Sequence, residues 1–287
     1  MSQVILKNEI QKDESTLSPL ITRNITSITI PDGVTSIGDY AFYNYYTLTN
    51  VTIPNSVTEI GYSAFYNCNS LTNVTIPNSV TIIYSNTFAN CTSLSNVTIP
   101  SGVREILYSA FANCTSLSSV TIPDSVTTMG SSAFFSCTSL SNITIPGSIQ
   151  QISSSGFQNC SSLSSVTILS GVREIQPSAF ANCTSLSSVT IPDSVTTMGS
   201  SAFSSCTSLS NITIPGSIQQ ISSSGFQGCS NLISVTVLAS SPPILGYNVF
   251  SNTHTNLVIY VPAESVDTYK AASGWSDYAA RIQAIPS

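Results

Sequence analysis

Apolar residues recur along this chain in two interleaved rhythms. Within a stretch such as Asn50-Val51-Thr52-Ile53, polar and apolar positions alternate. That is the period of a strand with one buried face. Over a longer distance the whole pattern returns at every twenty-third position. Aligned on its first apolar position, the repeat starts at Ile25, Leu48, Leu71, Leu94, Leu117, Leu140, Leu163, Leu186, Leu209 and Leu232. A valine or isoleucine follows three positions on (Ile28, Val51, Val74), then another apolar residue (Ile53, Ile76, Ile99), then usually proline. A second valine column (Val57, Val80, Val103), an Ile/Met column (Ile60, Ile83, Met129, Met198), a phenylalanine and a cysteine complete the period.

The pattern predicts elements directly. Val51 and its equivalents point inward, Asn50 and Thr52 outward, and Pro54 ends the strand because proline cannot donate to a ladder. The segment Ser63-Ala64-Phe65-Tyr66-Asn67-Cys68 is too short for a helix and suits a single helical or 3-10 turn. One such coil cannot bury its own apolar face, whereas stacked coils bury a continuous core. The period therefore predicts a repeat solenoid with a parallel sheet along one side. A second periodicity lies on top: residues 102–168 and 171–237 are nearly identical at an offset of 69, which is three coils. A block copied whole is tolerated where each coil touches only its neighbours.

The inward spacing Leu-x-x-Val-x-Ile matches the strand signature of leucine-rich repeats. The fuller run "LTNVTIPNSVTEIGYSAFYNC", Leu48 to Cys68, resembles the BspA-like (Treponema-type) leucine-rich repeat family. The likeness extends to the proline after the strand and the Ala-Phe-x-x-Cys turn, and it spans about residues 25 to 239. The resemblance implies a right-handed parallel β-solenoid, mostly strand, with short helical or 3-10 turns on the far side. It also implies a place on microbial surfaces, in adhesion and host-protein binding. It brings no catalytic residues.

The ends depart from the repeat. Residues 1–24 hold Lys7, Glu9, Lys12, Asp13 and Glu14 and are expected to form an N-terminal cap; 25–239 form the solenoid and 240–287 a C-terminal cap. That last segment predicts a final strand ending at Pro262 and a short helix near 263–272, with Glu264 beside its positive end. The only tryptophan, Trp275, is expected to pack this cap onto the last coil.

Composition narrows the function classes. Only 7% of residues are charged, against about 25% in an average domain. The net charge is −6, and the seven bases are scattered from Lys7 to Arg281. No basic stripe exists to neutralise phosphates, so nucleic acid is not an expected partner. No apolar run approaches the roughly 20 residues of a membrane span. The opening run from Met1 to Leu20 lacks the basic end and apolar core of a signal peptide. A cell-surface or secreted location therefore rests on the resemblance alone.

Candidate chemistry is sparse. The eight cysteines (Cys68, Cys91, Cys114, Cys137, Cys160, Cys183, Cys206, Cys229) fall one per coil in an inward column. Thiols stacked in a row point the same way, which favours a packing ladder over disulfides or a metal site. Tyr45 takes this column in an early coil. His254 is the sole histidine, expected as a solvated loop residue rather than a catalytic base. No P-loop, dinucleotide glycine pattern or G-x-S-x-G element occurs. Arg104–Glu105 and Arg173–Glu174 lie between inward columns and are expected in solvent. The chain is therefore not expected to be an enzyme, nor to carry a catalytic, cofactor or metal site.

What remains is surface. Threonine occupies one outward strand column (Thr52, Thr75, Thr98, Thr121, Thr144, Thr167, Thr190, Thr213), flanked by Thr29 and Thr236, with Asn or Ser two residues before each. Ten Asn-x-Ser/Thr motifs arise, and glycans on successive strand rows would collide. Tyrosines crowd the chain between Tyr40 and Tyr108. Tyr40, Tyr45 and Tyr46 suit the cap junction and an interface equally, whereas Tyr62, Tyr84 and Tyr108 are expected in a surface patch. The expected function is a monomeric interaction or adhesion scaffold for a protein or glycan, through the threonine face or the tyrosine-rich end. A passive spacer is the rival, and a lattice-templating (ice-binding-like) surface a third reading. The near-invariance of the exposed strand residues favours the spacer or a repetitive ligand.

Overall fold

The computed structural model describes residues 24–286, and the backbone of Val4 and Ile5. The rest of the expected N-terminal cap lies outside the described residues. The architecture is a parallel β-solenoid of about eleven turns, and the chain divides into two compact units, Met1–Ser141 and Asn142–Ser287.

In the first unit each coil adds one strand to a parallel sheet: Ser27–Thr29, Asn50–Thr52, Asn73–Thr75 and Asn96–Thr98. Pairing runs one repeat apart, Val51 beside Ile28 and Val97 beside Val74, so every column of the sequence becomes a row of the sheet. Val4–Ile5 pairs with Ile28 and Thr29 as the first strand. The fifth coil adds only the bridge from Asn96 to Ser119, which leaves Thr121 outside regular strand. The alternation of buried valine with exposed Asn and Thr is as the pattern predicts.

A second ladder appears that the sequence pattern does not announce. Ser36–Ile37 pairs with Glu59–Ile60, and Ile82–Ile83, Glu105–Ile106 and Thr128–Met129 pair in turn. Each strand is a single inward–outward pair, which is too short to register as alternation.

The expected helical or 3-10 turns take the form of linked i→i−3 turns. The amides of Ala64, Tyr66 and Cys68 donate to Gly61, Ser63 and Phe65. The intervening amides of Ser63, Phe65 and Asn67 donate outward to Ser85, Thr87 and Ala89 of the next coil. Reversing alternate amides requires left-handed backbone, found at Ser63 (φ 51°) and Asn67 (φ 59°) and repeated at Asn86, Asn90, Ser109 and Asn113. Asn tolerates that region better than most residues. Every coil thereby satisfies its backbone without a helix.

The core lies between these three sides. Phe42, Phe65, Phe88, Phe111 and Phe134 are fully buried, and their rings stack at 5.1–5.5 Å with planes within 17°. Near-parallel rings at that separation are offset, the arrangement favoured by the ring quadrupole.

The second unit repeats the plan. Asn142–Ile145, Ser165–Ile168 and Ser188–Thr190 form one parallel sheet. Asn211–Ile214, Ser234–Val237, Val258–Val261 and Ile282–Ala284 form another. The short second ladder runs unbroken from Gln151–Ile152 to Ile244–Leu245. Phe157, Phe180, Phe203, Phe226 and Phe250 stack as their counterparts do.

The C-terminal segment holds the one short helix that the pattern predicts. A 3-10 turn at Ala263–Ser265 leads into the helix Val266–Ala271. Trp275 is fully buried, donates Nε1 to the Pro243 carbonyl at 2.8 Å and lies 6.3 Å from Phe250. Tyr269 seals the same junction, its hydroxyl donating to Ala239 at 2.7 Å. No helix among the described residues is long and apolar enough to cross a membrane.

Candidate interaction faces

Hydroxyl side chains in this chain do two different jobs. In one column, Thr49, Thr72 and Ser95 donate to the carbonyls of Thr26, Thr49 and Thr72, each one coil back. In another, Thr92, Thr115 and Thr138 donate to Asn69, Thr92 and Thr115. In the second unit Thr184, Thr207 and Ser187 act likewise. These side chains stitch coil to coil. The recurrence of Ser and Thr in the same columns was the signal for this in the sequence.

The strand-face threonines differ. Thr52, Thr75, Thr98 and Thr121 of the first unit are exposed, as are Thr144, Thr167, Thr190 and Thr213 of the second. Among the described residues, none of these eight hydroxyls is engaged in a hydrogen bond within the chain. Within each sheet they stand about 5 Å apart. In the flanking row Asn73 donates to the Thr72 hydroxyl and Asn211 to that of Ser210.

The tyrosines divide. Tyr62 and Tyr84 meet at 4.8 Å between ring centroids, and Tyr62 and Tyr108 are both about half exposed. Tyr108 sits two coils on from Tyr62 and lines a separate cavity with Tyr66. Tyr43 and Tyr66 stack at 5.0 Å. Of the residues that suit either the cap junction or an interface, Tyr45 lies edge-on to Phe42, whereas Tyr40 and Tyr46 are exposed.

All eight cysteines are free and buried. The unexpected feature is their partner. Cys68, Cys91, Cys114 and Cys137 donate Sγ–H to the carbonyls of Phe42, Phe65, Phe88 and Phe111 at 3.2–3.3 Å. Cys183, Cys206 and Cys229 do the same to Phe157, Phe180 and Phe203. Burial pushes the Cys68 thiol up from 9.0 to about 12, and holds Cys91, Cys114, Cys183 and Cys206 well above the ordinary value too. Such thiols are neither nucleophiles nor ligands.

The other candidates stay apart. His254 is half-buried, its Nδ1 accepting from the Asn256 amide at 3.1 Å. Arg104 and Arg173 reach solvent as expected, but Glu105 and Glu174 are half-buried. No group of three His, Cys, Asp or Glu side chains suited to a metal occurs among the described residues.

Comparison with known proteins agrees with this architecture. A family model described as the BspA type leucine-rich repeat region, in six copies, matches residues 21–141 and 129–257. A leucine-rich repeat protein from Bacteroides ovatus is similar at 30% identity and a TM-score of 0.74, over 82% of this chain and 63% of that one. This chain thus spans less than two thirds of that protein. A leucine rich cell surface protein from Faecalibacterium prausnitzii is 28% identical over 92% of this chain and 83% of that one, with a TM-score of 0.48. The pneumococcal vaccine antigen PcpA shares the fold at 18% identity and a TM-score of 0.52, over 90% of this chain and 77% of its own. None of the proteins of curated function matches.

Proposed function

The chain belongs to the BspA-type leucine-rich repeat family, and from that premise we propose a non-enzymatic scaffold that holds an extended peptide or glycan along its strand face. The observation that carries this reading is the exposed threonine column within each unit, Thr52 to Thr121 in the first and Thr144 to Thr213 in the second. Among the described residues these hydroxyls make no bond within the chain, while hydroxyls before and after them in the coil are engaged between coils. A row of free donors and acceptors at strand spacing suits a partner that repeats at a similar interval. An ice lattice fits less well, because the neighbouring row mixes Asn with Ser instead of repeating threonine. Display on, or release from, a microbial surface accords with the family and with a surface that draws its polarity from hydroxyls and amides. A capped solenoid of residues 25–239 between two terminal segments completes the proposal. A spacer is the second reading, favoured by how little the exposed strand residues vary.

Replacing Thr52, Thr75, Thr98 and Thr121 together by lysine separates the two. The exposed positions tolerate the change, so the fold is expected to survive by circular dichroism. Binding to a glycan array or a panel of extracellular matrix proteins is expected to be lost. Binding that survives these lysines but falls with Tyr62→Ala and Tyr84→Ala assigns the partner to the tyrosines. A protein that binds nothing on either panel is a spacer.

A further inference from the structure

One column of the turn side interrupts itself. It reads Tyr43, Tyr66, Ala89, Ala112, Phe135 through successive coils of the first unit. Where aromatic residues are adjacent the rings stack, Tyr43 on Tyr66 at 5.0 Å with planes 8° apart. Ala89 and Ala112 then omit two rings in a row before Phe135 resumes. The omission leaves a cavity of about 270 Å³. Tyr66 and Phe135 stand at its two ends, three coil steps of about 5 Å apart. The buried methyls of Ala89 and Ala112 lie between them, and Tyr108 adds a third ring.

The polar lining is neutral. Asn86, Asn90, Ser109 and Ser132 supply amides and hydroxyls, and no charged side chain contributes. Asn90 accepts at Oδ1 from the Asn113 amide at 2.7 Å, and its own NH₂ makes no hydrogen bond among the described residues. The volume lies just below the roughly 300–1,000 Å³ of sites for drug-sized ligands, the scale of a single ring.

The duplicated block supplies an internal control. Over 67 aligned positions, 102–168 and 171–237 differ at seven. Two of the seven are cavity aromatics: Tyr108 against Pro177 and Phe135 against Ser204. At the same offset Ala89 corresponds to Gln158, a long side chain where the cavity needs a methyl. Three features that make this cavity, Ala89, Tyr108 and Phe135, are thus missing 69 residues on, where Gln158, Pro177 and Ser204 stand on a similar framework.

We propose that the Tyr66–Phe135 gap is a binding site for one neutral pyranose ring, independent of the strand face. One C–H face of the ring would lie against a flanking aromatic, Tyr66 or Phe135, its hydroxyls would meet the Asn86 and Asn90 amides, and the uncharged lining would disfavour acidic sugars. The test is saturation-transfer NMR on the full chain, with glucose, galactose, mannose and N-acetylglucosamine as probes. Transfer to the ring protons of at least one sugar is expected. It is expected to weaken at least tenfold in A89Q and in the Y108P/F135S double variant. These changes install the residues that the same coil positions carry 69 residues on, so the fold is retained, as an unchanged melting curve will verify. Silence from all four sugars overturns the proposal, as does a signal indifferent to A89Q. Transfer to N-acetyltyrosinamide but to no sugar overturns it in favour of a peptide side chain.

Discussion

A buried thiol that bonds a carbonyl does so only while protonated, and that couples this protein's stability to alkaline pH. The Cys68 pKa rises from 9.0 to about 12, and the thiols of Cys91, Cys114, Cys183 and Cys206 move in the same direction. A raised pKa in the folded state means that the unfolded chain loses these protons first. The stabilisation is therefore complete below pH 9.0 and is lost as pH climbs toward the folded value of about 12. Each titrating thiol adds a slope of about 1.4 kcal/mol per pH unit in that window. Melting temperature is expected to be flat from pH 7 to 8 and to fall steeply above about pH 9. Serine at Cys91, Cys114, Cys183 and Cys206 keeps a donor for each phenylalanine carbonyl and is expected to flatten the fall. An unchanged profile in that variant would clear the thiols of any role. The cysteine column was legible in the sequence as a buried ladder. Its hydrogen bond was not, because the acceptor lies 26 residues back and no local pattern encodes it.

Among the elements, the strands were the most legible and the turns the least. Val51, Val74 and Val97 alternate with polar neighbours over three or more positions, so the main sheet could be read directly. The second strands, Glu59–Ile60 and its equivalents, are too short to show a period. The turn side hides its geometry behind serine, which occupies the left-handed position at Ser63, Ser109 and Ser132 without advertising it. The column of Asn67, Asn90 and Asn113 gave a clearer signal, since asparagine is the residue most at ease there after glycine. Replacing Asn113 (φ 59°) by valine should be costly, because a β-branched side chain clashes in that conformation and the amide bond to Asn90 disappears. The expected loss is about 2 kcal/mol by urea denaturation. Asn113→Gly should lose less, because Gly228 already holds the same column in the other block at φ 76°. Equal losses for the two variants would mean that backbone conformation is not what the column selects. The strand-face threonines were singled out correctly as exposed, whereas the cavity escaped notice because it arises from two alanines where rings were skipped.

For the molecule as a whole, the C-terminal segment is expected to act as a cap on the last coil. Phe250 ends one ring stack, covered by Trp275 and by the edge of Tyr278 at 5.3 Å. Truncation before Ala239 removes Phe250 along with its cover and leaves Phe226 and an open parallel edge in water. The truncated protein is expected to associate, seen as a mass above one chain by light scattering. A truncated chain that stays single and melts like the intact one would mean that the segment is no cap. Trp275 is the only tryptophan, so its fluorescence reports this end alone while far-ultraviolet circular dichroism reports every coil. The two signals can part company in a structure whose contacts are between neighbours.

The bonds that join coil to coil also bear on inheritance. A thiol meets a carbonyl 26 residues back, a threonine hydroxyl one 23 back, and a strand pairs with the next at the same interval. Every one of these relations is unchanged if a whole number of coils is inserted or lost. Recombination between the two like blocks would yield a chain longer or shorter by three whole coils, in which the same partners meet again. A single added residue, by contrast, would break register across a coil. Alleles of this chain should therefore differ in length by such three-coil blocks and hardly at all by a fraction of a coil.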